Sequence, residues 1–147
     1  MKFYIASRLE NAEMVSKLAA VLKAAGHIQT YNWTEHGSVQ DEDIGIINQV
    51  AENELRGVKS ADMVIVLLPG ARGTHTELGI ALGCGNKDII ICAETNDALL
   101  QDGRTCSFYW TTGTIHIIGG FDKWLVEILQ TARRIDSERQ IDETYGG

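Results

Sequence analysis

The chain has 147 residues, 44% of them hydrophobic and 22% charged, and a formal net charge of -7 at pH 7. That length suits one ordinary domain that buries its core without metal or disulfide support, and the acidic balance argues against a nucleic-acid polymer as partner, since such binders gather Lys and Arg on one face. No apolar run approaches the roughly 18 residues of a membrane span, and the three cysteines, Cys84, Cys92 and Cys106, form neither an even set nor a C-x-x-C pair, so no disulfide framework, metal site or membrane partner is expected.

Apolar strand-like runs alternate with helical patterns, the mark of βαβ units and a parallel sheet. "KFYIA" (2–6) is too short and too alternating for the apolar part of a signal peptide; it is expected to be the first strand of a cytoplasmic protein. A helix follows from about Asn11 to Ala25, with Met14, Val15, Leu18, Ala19 and Leu22 on one face and Gly26 placed to end it. "IQTYNW" (28–33) is predicted as the second strand. A polar stretch then leads to a helix expected to turn Ile44, Ile47, Val50, Ala51, Leu55 and Val58 inward. In "DMVIVLL" (62–68) the run after the aspartate is continuously apolar, as a strand covered on both faces must be, so this third strand should be central.

Next comes "PGARGTHTELG" (69–79), which holds the only proline in the chain. Pro69 cannot donate a ladder hydrogen bond and marks the strand end, while Gly70 and Gly73 allow backbone angles or a close ligand approach that side chains forbid. Thr74 is predicted to be a helix N-cap, and Glu77 completes T-x-x-E. Glu77 is therefore either half of a capping box or a carboxylate that the helix dipole keeps ionised at a ligand edge, competent as a nucleophile toward a sugar carbon. His75 reads as a solvated first-turn residue. The helix runs to about Cys84. "DIIIC" (88–92) is the fourth strand, "TIHII" (114–118) the fifth, and a last helix carries Phe121, Trp124, Leu125, Ile128 and Leu129. Between those strands lie about 20 residues with Phe108, Tyr109 and Trp110, a length at which structureless loops are usually functional. Right-handed crossovers favour a flavodoxin-like, doubly wound five-stranded parallel sheet in three layers, with ligands at the carboxyl ends of the strands. The single domain is expected over 1–134, and 135–147 as a frayed helix end and polar tail.

Several nucleotide fingerprints are missing. No G-K-[ST] follows the glycines, and the first turn, "ASRLEN", lacks dinucleotide-binding glycines. That turn also lacks the hydroxyl run that cradles a flavin phosphate, and no acidic cluster suits a phospho-accepting domain. What remains there is Ser7 and Arg8, a modest anion site beside a helix start, or equally a cap and a surface charge.

"FYIASR", "ENELRGVKSADMVIVLL" and "GTHTELGIALGCGNKDIII" together resemble the nucleoside 2-deoxyribosyltransferase family over roughly residues 2–92, with weaker similarity through "FYWTTGTIHII". The resemblance implies that Glu77, in the family's G-x-x-x-E-L-G, is the nucleophile that takes a sugar from its base as a covalent glycosyl-enzyme. A second family carboxylate, which contacts the base and handles its proton, maps by position to Glu54, where aspartate is usual; a surface ion pair is the plainer reading of that residue. Tyr4 matches a position near the nucleophile, or is simply core. Trp33, with Asn32 or His36, would complete the base side. The aspartate that binds the sugar in deoxyribosyltransferases is replaced here by Ala71, beside Arg72. Ala71, Arg72 and the "ASR" turn lean toward the related nucleotide N-glycosidases, which hold a 5'-phosphate. Asp62 is read as structural.

The expected partner is thus a small nucleoside or nucleotide, with no cofactor, and the assembly a homodimer or higher homo-oligomer with "SFYW" as the segment reaching a neighbour's pocket. The other reading is a regulatory nucleotide-binding module that kept the fold and lost turnover.

Overall fold

The computed structural model describes residues 1–100 and 105–146; residues 101–104 of the expected loop and residue 147 of the expected tail lie outside the described residues. Among the described residues five strands and five α-helices alternate: β1 (Lys2–Ala6), α1 (Ala12–Ala24), β2 (Ile28–Gln29), α2 (Ile44–Ser60), β3 (Met63–Leu67), α3 (Arg72–Cys84), β4 (Asp88–Ala93), α4 (Asn96–Leu100), β5 (Thr114–Ile118) and α5 (Phe121–Tyr145). All strand pairs are parallel and the order is β2-β1-β3-β4-β5, that of flavodoxin-like sheets. The α/β, doubly wound expectation holds.

The apolar patterning explains the layering. Every residue of β3 is buried, as are Phe3–Ala6 of β1 and Ile89–Ala93 of β4, so the centre of the sheet is covered on both faces. Helices α1 and α5 lie side by side, Met14 and Phe121 lining a common hollow, while α2 and α3 pack together on the other face. Val15, Leu18, Ala19 and Leu22 are buried as the 3.6-residue period requires. Gly26 then adopts φ +91°, and the His27 N–H reaches back to the Leu22 carbonyl, which closes the helix end. Because β1 and β3 pair from Phe3↔Met63 to Ala6↔Val66, their carboxyl ends finish level, and the loops after them open at one edge. That edge is the topological switch point.

Four expectations need correction. The second strand pairs over Ile28–Gln29 only. Beyond it side chains take over the edge: Thr30 Oγ1 donates to the Gly57 carbonyl at 2.7 Å and Trp33 Nε1–H to the Ile5 carbonyl at 2.8 Å. Helix α2, capped by Asp43 accepting from the Ile46 N–H at 3.1 Å, buries only its last turns. Val58 is buried, but Ile44 is 80% exposed and Ala51 is exposed too; the sheet edge beneath is too short to cover them. Third, the helix after β3 begins at Arg72, two residues before the predicted cap. Finally, α5 continues as helix to Tyr145 through the segment expected to fray. Buried Ile135 and the pairs Arg134–Asp88 (2.6 Å) and Arg139–Asp62 bind it to the amino ends of β4 and β3. Asp62 also accepts from the Lys2 N–H at 2.6 Å, in keeping with a junction role. No described helix is long and apolar enough to cross a membrane.

Candidate active site

At the switch-point edge a cleft of about 410 Å³ is lined by the first turn after β1 (Ser7, Arg8), the segment after β2 (Trp33, His36), Glu54 of α2, and Ala71, Gly73, Thr74 and Glu77 at the start of α3. Ser7, Arg8, Trp33, Glu54, Gly73 and Glu77, far apart in sequence, thus come together. Two expected binding residues do not join them. Gly70 faces its own helix, where a Cβ would stand 2.9 Å from Thr74 Cγ2, and Arg72 is exposed outside the cleft. Gly73 is the glycine with open space around it, and it borders the cleft.

Glu77 sits in the second turn of α3 and is 8% exposed. It does not cap the helix. Instead Thr74, third residue of α3, accepts from the Ala71 N–H through Oγ1 at 3.0 Å, and the Glu77 carboxylate points to β1, where the Tyr4 hydroxyl donates to Oε1 at 2.8 Å. Tyr4 itself is wholly buried, and burial, with the carboxylates beside it, holds its phenol far above the ordinary range, so it remains a donor. The expectation that the helix dipole keeps Glu77 ionised also fails, because the dipole's influence fades within the first turn. Burial pushes the Glu77 carboxyl up to about 8; the Tyr4 hydrogen bond opposes this and the charge of Glu54 adds to it.

Glu54 is half-buried, and loss of hydration raises its carboxyl while His36 pulls it down. Its position depends on Gly57, three residues on along the same helix face. A Cβ there would lie 2.8 Å from Tyr31 Cβ and 3.1 Å from the Tyr4 ring, so only glycine lets α2 pass this close over β1 and bring Glu54 to Glu77. Beneath the two carboxylates a smaller apolar hollow of about 180 Å³ opens between Leu55 and Ile80. Both carboxylates therefore line the larger cleft and the smaller hollow alike.

The remaining groups divide by whether their polar atoms are already engaged. Ser7 Oγ donates to the Leu67 carbonyl at 2.8 Å and accepts from Asn11 at 2.9 Å, so its hydroxyl proton is committed to the fold. Asn32 is likewise engaged, with Thr34 and Glu35. Arg8 Nε is buried without a hydrogen-bond partner, 3.9 Å from Glu10 Oε2, and His36 Nε2 is likewise buried without one. Tyr109 of the "SFYW" segment packs on the start of α3 in its own chain: its hydroxyl meets His75 Nε2 at 2.5 Å and the rings stack. Phe108 and Trp110 are exposed. Gly57, the unpartnered nitrogen of His36 and the His75–Tyr109 contact had no sequence signature; the spacing Glu-x-x-Gly at 54–57 was the nearest to one. Among the described residues no three His, Cys, Asp or Glu side chains are grouped to hold a metal ion.

The fold is shared with two solved enzymes of this size. One is the CMP N-glycosidase of Clostridium botulinum, 20% identical over 89% of this chain and 99% of its own, with a TM-score of 0.58. The other is a 2-deoxyribosyltransferase of the psychrotolerant bacterium Bacillus psychrosaccharolyticus, 22% identical over 85% of this chain and 90% of its own, also with a TM-score of 0.58. At such identities the likeness speaks for the fold. No curated protein sequence matches the chain. The sequence profile described as nucleoside 2-deoxyribosyltransferase matches residues 3–134, a span that runs from β1 into α5 and takes in every cleft residue named above. By that match the chain belongs to the nucleoside 2-deoxyribosyltransferase family.

Proposed function

We propose that the chain cleaves the N-glycosidic bond of a nucleoside or nucleoside 5'-monophosphate, with Glu77 as nucleophile and Glu54 on the base side. The observation that carries this reading is the Glu77 carboxylate, sunk in the cleft wall, held by the Tyr4 hydroxyl and flanked by a second carboxylate. Glu77 attacks the anomeric carbon; the C1'–N bond breaks and its electron pair leaves with the base, which takes a proton from Glu54. Burial raises the Glu54 carboxyl and so favours the protonated form this step needs. Positive charge developing on the sugar stabilises the Glu77 anion in a poorly hydrated site. Water, or a second base, then attacks C1'; the C1'–O bond to Glu77 breaks and returns the Glu77 carboxylate, and Glu54 takes the proton of the attacking group, which completes an N-glycosidase cycle with water and a transfer with a base. Arg8 Nε, which makes no hydrogen bond, supports a phosphorylated substrate, since it offers a donor to a phosphoryl or hydroxyl oxygen.

One observation favours the second reading, a nucleotide-binding module without turnover. A carboxyl raised to about 8 is mostly protonated at neutral pH and is then no nucleophile. Incubation with a panel of nucleosides and 5'-monophosphates, with free base followed by chromatography, separates the two. Base release abolished by Glu77→Ala is expected; equal release by wild type and variant would remove Glu77 from the mechanism, and tight nucleotide binding with no release would establish the module.

A further inference from the structure

His36 contributes nothing to the core, yet its ring is fixed in place. Gly37, in the left-handed region at φ +66°, turns its carbonyl toward the ring, and His36 Nδ1 lies 2.8 Å from that oxygen. A carbonyl can only accept, so Nδ1 carries the hydrogen, and in the neutral ring Nε2 is left as an acceptor. That atom is buried, has no partner, and belongs to a residue of the cleft wall. A buried acceptor without a donor is costly, and no group of the described residues donates to it.

Glu54 lines the same cleft and is the proton donor of the proposed reaction. Beside the His36 Nε2 acceptor it presents a donor. The complementary ligand edge has an acceptor next to a donor: a ring nitrogen adjacent to an exocyclic amino group, as in cytosine or adenine. The oxo bases present the reverse, a carbonyl beside a ring N–H. Placed in the same orientation, they would set a carbonyl lone pair against His36 Nε2 and an N–H against the Glu54 hydroxyl.

We propose that His36 Nε2 is the acceptor by which this cleft selects nucleobases bearing an exocyclic amino group over their oxo counterparts. The proposal rests on the N-glycosidic reading for the word substrate, whereas the preference in binding stands on the two side chains alone. In the reaction the same edge receives the Glu54 proton: the O–H bond breaks, the ring nitrogen is protonated, and the base leaves neutral as the C1'–N bond opens.

The test compares CMP with UMP and AMP with IMP, by calorimetric binding and by release of base, on the intact chain. Wild type is expected to favour the amino member of each pair by roughly tenfold or more, the effect of one buried hydrogen bond made or lost. His36→Phe should bring the ratio near one, and His36→Gln, whose amide oxygen can accept, should retain part of it. Thermal melts show whether each variant is folded; if the phenylalanine variant is not, the glutamine variant and the wild-type ratio still decide. A wild-type ratio of one or below, or an unchanged ratio in folded His36→Phe, overturns the proposal. Selective binding without any base release would refute the N-glycosidic reading and leave the selector standing; base release without discrimination would do the reverse.

Discussion

Replacing Glu77 by glutamine keeps the shape of the side chain and an acceptor for the Tyr4 hydroxyl, and takes away only the ability to become charged. In the folded chain burial lifts this carboxyl from 4.5 to about 8, whereas in the unfolded chain it titrates near its ordinary value. The fold therefore binds this proton more tightly than the unfolded chain does. The stability it confers is complete below about pH 4.5, is lost as the pH rises toward 8, and stays lost above that. A displacement from 4.5 to about 8 corresponds to about 5 kcal/mol as an upper bound, at 1.36 kcal/mol per pKa unit. Glutamine never ionises, so Glu77→Gln should melt close to wild type at pH 5 and well above it at pH 9. For a chain of this size the difference would be at most about 10–20 °C, at roughly 2–4 °C per kcal/mol. Thermal melts of both proteins at the two pH values measure it, and titrations common to both largely cancel. A shift of equal size at pH 5 and pH 9, or a variant less stable than wild type at pH 9, would show that Glu77 is not a buried, destabilised anion.

Tyr4→Phe removes the hydrogen bond that favours the charged form of Glu77. The acid limb of kcat/KM should then move up by about one pH unit, with a fall of about tenfold at pH 7 and a smaller one at high pH; a limb that stays in place refutes the coupling. The two glycines before Thr74 should separate packing from ligand access. Gly70→Ala sets a Cβ 2.9 Å from Thr74 Cγ2 and should destabilise by about 1–3 kcal/mol, read as a lowered melting temperature. Gly73→Ala meets nothing within 4 Å and should melt at or above wild type, since alanine suits a helix better, yet raise KM by crowding the cleft.

What could be read from the letters was what local periodicity controls. The unbroken apolar run of Met63–Leu67 requires cover on both faces, and β3 is indeed central; the 3.6-residue spacing of Val15, Leu18 and Leu22 correctly named the buried side of α1. The sequence also named six of the residues that meet in the cleft: Ser7, Arg8, Gly73 and Glu77 because turns and helix starts after strands face the switch-point edge, Glu54 and Trp33 through the family resemblance. It failed where a contact from elsewhere in the chain decides. Thr-x-x-Glu at 74–77 satisfies the local rule for a cap, but Tyr4, distant in sequence, draws the glutamate the other way. Gly70 and Gly73 look alike as letters and differ only in whether Thr74 stands over the missing side chain. The face of α2 looks as apolar as that of α1, but the sheet that should cover it ends after Gln29.

That early end of β2 also bears on how the molecule behaves beside other copies of itself. An edge strand offers unpaired N–H and C=O groups on which a foreign strand can grow. Here the regular ladder on this side is two residues long, and the Phe3 and Ile5 carbonyls of β1 beyond it are already taken by the Thr30 N–H and by the indole of Trp33. A template so short gives an incoming chain almost nothing to align with. Trp33 thus serves two ends at once: it seals a margin against unwanted strand pairing, and the same ring forms part of the cleft wall, so damage there would be felt in solubility as well as in the binding of a ligand.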